Sequence, residues 1–243
     1  MNANRKELKF ITGSDVLLDV ENRIRGIMTR DEHQTDKSYR IRSVYFDDAT
    51  RSCYRENRAG VTPRRKYRIR TYNCCDEPIL AEIKTNHRGT VSKESTRIDR
   101  SAFEALLSGD ITQTVDILSA LSDERLSAGD QKGAHVLKQY LVKIAADKFS
   151  PACIVDYERS AYVYPIANVR ITFDRNVTSS KEFLRMFDST LTGKCALDNN
   201  THILEIKYDE FLPDEIRSLL SGVKLLRTSC SKYTFCMEAQ NDF

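Results

Sequence analysis

Charged and apolar positions alternate in several segments of this chain. Between Arg64 and Tyr72, the cations Arg64, Lys66, Arg68 and Arg70 occupy every second position, with Tyr67 and Ile69 between them. Successive strand side chains point to opposite faces, so a strand here lines up four cations on one surface. The arrangement recurs as Glu7 with Lys9, Glu82 with Lys84, Arg170 with Thr172 and Asp174, and Glu205 with Lys207. The pattern predicts strands over residues 5–11, Tyr39–Phe46, Arg64–Tyr72 and Ile79–Thr85, the last turning at Arg88-Gly89 into Thr90–Ile98. Further strands are expected at Ala152–Tyr157, Ala161–Tyr164, Val169–Phe173, His202–Tyr208 and Cys230–Phe235. Helical spacing appears at Val16–Met28 behind a Gly13-Ser14-Asp15 start, and again at Ser101–Leu107, Ile111–Leu121 and Gly133–Ala146. The last three form a helical insertion over roughly residues 100–150. A short helix over Pro213–Leu220 begins on a proline whose missing N–H costs nothing in a first turn.

Strands whose inner face is charged cannot close an ordinary apolar core on that side. A closed antiparallel barrel with a polar lumen and helices packed outside meets the requirement. A β-sandwich with one solvated face is the other architecture that fits. No linker rich in Gly, Pro or Ser divides the chain, so residues 1–243 read as one domain.

Composition narrows the chemistry. Charged residues make up 30% of the 243, yet the formal net charge is only +3, so the basic rows are a matter of local placement. A general nucleic-acid coat protein would carry a larger excess of cations, and a closed tunnel would exclude a duplex; no nucleic-acid partner is expected. The N-terminus lacks a signal-peptide pattern, and no stretch approaches the roughly 20 apolar residues of a membrane span, which predicts a cytoplasmic protein. Seven scattered cysteines suggest neither a disulfide framework nor a zinc site. Phosphate-loop, HExxH and nucleophile-elbow motifs are absent from the sequence.

Phosphate chains call for Arg forks and Lys point charges arriving from several directions. Arg68, Arg70, Lys84, Lys93, Arg97, Arg159, Arg170 and Lys232 can supply them, or can be solvated surface cations. A carboxylate in such a lumen would be wasted as a phosphate ligand but can hold a hard divalent cation. Glu205 is the foremost candidate; Glu7 and Glu82 can equally serve as charge-balancing partners of nearby lysines.

These residues resemble the VTC domain, the polyphosphate polymerase branch of the triphosphate tunnel metalloenzyme superfamily. The matching landmarks are Glu7-Leu8-Lys9, Ser43-Val44-Tyr45-Phe46-Asp47, Lys66-Tyr67-Arg68-Ile69-Arg70, Glu82-Ile83-Lys84 with Lys93, Tyr157-Glu158-Arg159, Arg170-Ile171-Thr172-Phe173-Asp174, Leu204-Glu205-Ile206-Lys207 and Ser231-Lys232-Tyr233. The resemblance implies an α+β protein with an eight-stranded antiparallel β-barrel. It implies transfer of the ATP γ-phosphate to a growing polyphosphate chain, primed by pyrophosphate or triphosphate, with Mn²⁺ or Mg²⁺. Arg68, Arg70, Lys84, Arg159 and Arg170 would hold the triphosphate and Glu205 the metal, with Glu7 and Glu82 as further metal candidates. Lys9, Lys66, Lys93, Arg97, Lys207, Ser231 and Lys232 would hold or orient phosphate along the tunnel. The first strand carries one glutamate where the superfamily's hydrolases and cyclases carry ExExK, which favours the polymerase branch. A metal-dependent tripolyphosphatase and a non-catalytic polyphosphate or inositol phosphate binding module stay open as alternatives.

Overall fold

The computed structural model describes residues 5–32, 34 and 36–240. In chain order its elements are β1 (Arg5–Gly13), α1 (Ser14–Ile24), β2 (Thr29–Arg30), β3 (Tyr39–Asp47), α2 (Ser52–Ala59), β4 (Arg64–Tyr72), β5 (Ile79–His87) and β6 (Thr90–Ile98). There follow α3 (Arg100–Ser108), α4 (Ile111–Ser127), α5 (Gln131–Asp147), β7 (Ser150–Tyr164), β8 (Val169–Ser180), β9 (Lys194–Cys195), β10 (Thr201–Asp209), α6 (Asp214–Leu220) and α7 (Lys232–Ala239).

Eight strands pair in the order β1-β10-β8-β7-β3-β4-β5-β6, with β2 added to β7 and β9 to β8; every pairing is antiparallel. The sheet curls around its charged face into the expected tunnel. Among the described residues the backbone ladder does not close between β1 and β6. Side chains span the seam instead, with Glu7 on β1 lying 3.6 Å from Lys84 on β5.

The alternating apolar positions face outward into two cores. Tyr67, Ile69, Ile83, Val44 and Phe46 pack with Phe103, Leu118, Val136, Leu137 and Tyr140 from α3, α4 and α5. On the other side, Phe10, Leu204, Ile206, Ile171 and Phe173 pack with Leu17, Val20 and Ile24 of α1 and Ile216 of α6. The helical insertion braces the wall. Tyr140 sets its ring edge-on to Tyr67 at 5.5 Å and donates its hydroxyl hydrogen to the Glu82 carbonyl at 3.2 Å. The side chains of Asp99, Asp110 and Asp130 cap the N-termini of α3, α4 and α5 in turn. No helix among the described residues is long and apolar enough to cross a membrane.

Three expectations change. The segments Ala152–Tyr157 and Ala161–Tyr164 are one strand, β7, whose register against β8 shifts between Asp156 and Glu158. The strand expected at Cys230–Phe235 is the start of α7. Ser231 caps it by accepting from the Thr234 N–H at 3.3 Å, while Tyr233, Cys236 and Met237 bury at helical spacing. The aromatic and β-branched content of Tyr233-Thr234-Phe235 imitates a strand there, and tertiary packing overrides it. Helix α2 had no sequence signal of its own, being mostly polar; the Asp47 carboxylate builds its first turn by accepting from the Cys53 and Tyr54 N–H groups.

Candidate functional site

Antiparallel register puts directly opposed residues on one face, which fixes what enters the lumen. Lys66 opposes Lys84, Lys84 opposes Lys93, and Arg68 opposes Glu82. Around the wall, Lys9 opposes Glu205, Glu7 opposes Lys207, Lys207 opposes Arg170, and Asp174 opposes Arg159. The charged alternating face is therefore one continuous inner surface.

Three carboxylate-centred cages organise it. Glu82, 0% exposed, accepts from Arg68 Nε at 2.7 Å and from Lys93 Nζ at 2.8 Å, with Arg70 Nε at 3.7 Å. Asp174, likewise 0% exposed, takes both arms of Arg159 at 2.6 and 2.7 Å and Lys232 Nζ at 2.5 Å. Glu205 and Glu7 form the third. Glu205 has Lys207, Lys9 and Arg159 at 3.3, 3.5 and 3.7 Å, and Glu7 has Lys207, Lys84 and Lys9 at 3.5, 3.6 and 3.7 Å. Arg170 reaches Asp31 at 3.0 Å and Tyr39 Oη at 3.2 Å.

These neighbours set the protonation states. Burial drives the Glu82 carboxyl up, but Arg68, Arg70 and Lys93 outweigh it and hold the group below the usual carboxylate range. Burial is likewise overcome at Asp174 by Arg159 and Lys232, and at Glu205 by Lys207 and Lys9. Lys9, buried but flanked by Glu205 and Glu7, is raised above an ordinary lysine. Lys84 is lowered to about 7 by burial and then by Lys9. Lys66, buried beside Lys84, Lys9 and Arg64, is pushed well below its ordinary value.

Among the described residues no group of three or more His, Cys, Asp or Glu side chains gathers into a metal cage. Mg²⁺ and Mn²⁺ sites that work on phosphates ask for less, one or two carboxylates plus substrate oxygens. Glu205 and Glu7 fit that demand. The two carboxyls lie within hydrogen-bonding reach of each other. Glu7 Oε1 and Thr172 Oγ1 are buried without a hydrogen-bond partner, and Thr172 opposes Glu205 in register. Glu82 offers less, because its two oxygens are already taken by Arg68 and Lys93.

Two cavities make up the tunnel. One, of about 380 Å³, is lined by Tyr39, Tyr72, Arg68, Arg70, Lys93, Arg159, Arg170 and Lys207. The other, of about 600 Å³, is lined by Lys9, Lys66, Asn57, Arg58, Arg64, Arg227 and residues from the segment that leads into α7. Glu7, Lys84 and Val91 line both, so the two spaces meet beside the Glu7 carboxylate; Glu205, next to Glu7, is buried and lines neither.

Of the residues read from sequence, Lys9, Lys66, Arg68, Arg70, Lys84, Lys93, Arg159, Arg170 and Lys207 line these cavities. Ser231 lines the larger one and accepts from Lys66 Nζ at 2.8 Å. Lys232 reaches the inner wall through Asp174. Arg97 does not join them: it opposes Leu80 and is exposed, outside the lining of both. Other participants were landmarks in the sequence without a role assigned to them. Tyr45 accepts from Arg68 Nη1 at 2.9 Å and stacks on Tyr233, whose hydroxyl donates to Asp47 Oδ2 at 2.5 Å. Arg58, in the last turn of α2, and Arg227, in the segment before α7, lie in polar contexts that carry no periodic signal, whereas Arg64 opens the alternating row of β4.

The VTC domain family profile matches residues 4–241. No curated protein matches the chain in sequence. Among solved structures, a candidate adenylate cyclase from Vibrio parahaemolyticus is similar at a TM-score of 0.50 with 11% identity, over 97% of this chain and 98% of that one. A candidate adenylate cyclase from Bacillus halodurans aligns at a TM-score of 0.45 with 12% identity, over 94% and 95% of the two chains. The Vibrio likeness supports the fold.

Proposed function

Because the chain belongs to the VTC domain family, we propose that it is an ATP-dependent polyphosphate polymerase that adds the ATP γ-phosphate to a polyphosphate chain inside the tunnel. The observation that supports this most directly is the inner compartment, where Arg68, Arg70, Lys93, Arg159 and Arg170 converge and each is held by a buried carboxylate. Phosphoryl transfer needs positioning and charge neutralisation more than a protein nucleophile. Cations already locked by Glu82, Asp174 and Asp31 lose little further freedom when a triphosphate arrives.

In this reading, Arg68, Arg70, Lys84, Arg159 and Arg170 grip the ATP triphosphate. Lys9, Lys66, Lys207, Ser231 and Lys232 orient the acceptor chain, which pyrophosphate or triphosphate can start. An anionic oxygen of the acceptor's terminal phosphate attacks the γ-phosphorus in line, the bond from that phosphorus to the β,γ-bridging oxygen breaks, and ADP leaves with the electron pair. The attacking oxygen is already ionised, so no general base is required. Lys and Arg side chains stabilise the charge on the transferred group. A Mn²⁺ or Mg²⁺ would be held by Glu205 and Glu7 and would supply charge neutralisation to the phosphates. The protein would act in the cytoplasm, where ATP is supplied.

The experiment is incubation of purified protein with ATP and Mn²⁺, products being resolved on a gel stained for polyphosphate while phosphate release is followed. Long chains with stoichiometric ADP are expected. Orthophosphate alone would replace the proposal with a tripolyphosphatase. Glu205→Gln should abolish turnover with an unchanged circular dichroism spectrum; normal turnover in that variant would remove Glu205 from the metal site.

A further inference from the structure

Behind the tunnel, on the other face of the same wall, lies a third cavity of about 370 Å³, between α1, β2, the segment leading into β3 and the middle of β7 and β8. It shares no lining residue with the two tunnel cavities. Strand alternation sets it back to back with the smaller of them: Glu158 and Ser160 line it from either side of Arg159, and Arg175 lines it next to Asp174, the partner of Arg159. A β-bulge aims these side chains. From Asp156 to Glu158 the partner strand advances three residues, from Thr178 to Arg175, and Asn176 between them has a left-handed φ of 53°. Glu21, 6% exposed, forms the floor. It accepts from Arg175 Nη2 at 2.8 Å and from the Tyr162 hydroxyl at 2.9 Å and pairs with Arg25 Nη2 at 3.2 Å, while Arg175 Nη1 donates to Ser160 Oγ at 2.9 Å. At the rim, Arg30, Lys37 and Glu158 make no ion pair or side-chain hydrogen bond among the described residues. The segment that carries Lys37 is nevertheless fastened: Gln34 donates to the Asp36 and Lys37 carbonyls at 3.0 and 2.7 Å and accepts from the Ala161 N–H at 2.7 Å.

Four cations against two carboxylates leave this lining with an excess of two positive charges. Ordinary surface cations are scattered and solvated, whereas Arg25 and Arg175 are set in direction by one buried carboxylate, much as Asp174 sets Arg159 in the tunnel. Two guanidinium forks fixed in this way match the paired oxygens of a tetrahedral oxyanion. Glu158 adds selectivity. An ionised carboxylate only accepts hydrogen bonds, so beside an anion it repels a fully deprotonated oxyanion and accepts from one that carries a proton. Monohydrogen phosphate has the required charge and an O–H; sulfate has the charge without the hydrogen. We propose that this outer cavity is an anion site separate from the tunnel that binds inorganic phosphate as its monohydrogen dianion, with Arg25, Arg30, Lys37 and Arg175 as its cationic donors and Glu158 as the residue that rejects sulfate. The ligand follows from the charges of the lining and holds whichever reaction the tunnel performs.

The test is metal-free equilibrium dialysis of radiolabelled orthophosphate at mildly alkaline pH, with tripolyphosphate present at a concentration that saturates its own binding in the tunnel. The wild-type protein should retain the label at a single saturable site, and Arg30→Ala/Lys37→Ala should bind it roughly tenfold or more weakly. Both residues are exposed, and a circular dichroism spectrum and melting curve check that the variant folds. Arg30→Lys/Lys37→Arg should restore most of the binding. Unlabelled sulfate should compete roughly tenfold less well than unlabelled phosphate against the wild type, and within about threefold of it against Glu158→Gln, whose amide can donate. Displacement of all label by tripolyphosphate, undiminished binding in the alanine variant, or equal competition by sulfate and phosphate in the wild type would each overturn the assignment. Dialysis needs no turnover, so a failed polymerase assay leaves a retained label standing, and an active polymerase that retains no label removes this inference alone.

Discussion

Replacing Glu82 by Gln keeps the shape of the side chain and removes one buried negative charge from beneath three cations. Arg68 makes two close contacts with Glu82, at 2.6 and 2.7 Å, Lys93 makes one at 2.8 Å, and Arg70 stands at 3.7 Å. The carboxylate is 0% exposed, and the side chains of Arg68 and Arg70 are only 12% and 10% exposed, so water cannot substitute freely. Breaking a buried pair by removing one partner costs about 3–5 kcal/mol, because the remaining charges stay desolvated. Lys93, at 49% side-chain exposure, can swing outward, which favours the lower end of that range. For a domain of this length the melting temperature should fall by roughly 6–20 °C. An anion is the missing counter-charge, so saturating tripolyphosphate should raise the melting temperature of Glu82→Gln more than that of the wild type. Differential scanning calorimetry with and without tripolyphosphate reads both effects. A variant melting within about 2 °C of wild type, or one gaining no more from the anion than wild type does, would refute the claim that Glu82 holds these cations in place.

Acid sensitivity follows from the same carboxylates. Their folded-state values are depressed, so their contribution to stability is complete above the unfolded carboxylate value near 4.3 and is lost as pH falls through the lower folded value. Below about pH 4.5 the wild-type melting temperature should therefore drop progressively, and Glu82→Gln should show a shallower acid limb in the same calorimetric series; parallel limbs would contradict the assignment. Tyr233→Phe removes the hydroxyl that Asp47 binds at 2.5 Å, a hydrogen bond to a charged group worth roughly 1.5–3 kcal/mol. Since Tyr233 adjoins Lys232 and Ser231, the variant should also raise KM for the acceptor chain more than KM for ATP, measured by varying each in turn; an equal change in both would reduce Tyr233 to a structural role.

The barrel was readable because its signal is periodic. Arg64, Lys66, Arg68 and Arg70 alternate with Tyr67 and Ile69, and the strand from Arg64 to Tyr72 falls where the alternation places it. Arg88 and Gly89 adopt the positive φ values, 50° and 87°, of a tight hairpin turn, as that dipeptide suggests. The lumen residues followed from the same period, since one face carries the chemistry and the other the core. What escaped was whatever depends on contacts between elements distant in sequence. Tyr233-Thr234-Phe235 is helical because Tyr233 must reach Asp47, 186 residues away in sequence. Arg58 and Arg227 meet at one mouth only after α2 and the segment preceding α7 have folded over it. Pairing likewise decides the roles of the carboxylates: Glu82 and Glu205 occupy the same Glu-Ile-Lys pattern, yet one is sealed by Arg68 and Lys93 and the other lies beside Glu7.

A tunnel built to attract polyanions has an electrostatic difficulty of its own, because packed cations lower one another's proton affinity. Lys66, taken out of water and with cations around it and a serine as its partner, is driven well below the ordinary lysine value, and Lys84 comes down to about 7 through burial and then Lys9, even with Glu7 nearby. Lys9, equally enclosed but set between Glu205 and Glu7, moves the other way. The buried carboxylates thus offset that loss where they touch a lysine closely, as Glu205 and Glu7 do for Lys9, and fix the directions of the inner cations, at the cost of weakening the net field. Where they are sparse, at the larger mouth, Arg58, Arg64 and Lys66 lean on neutral oxygens instead.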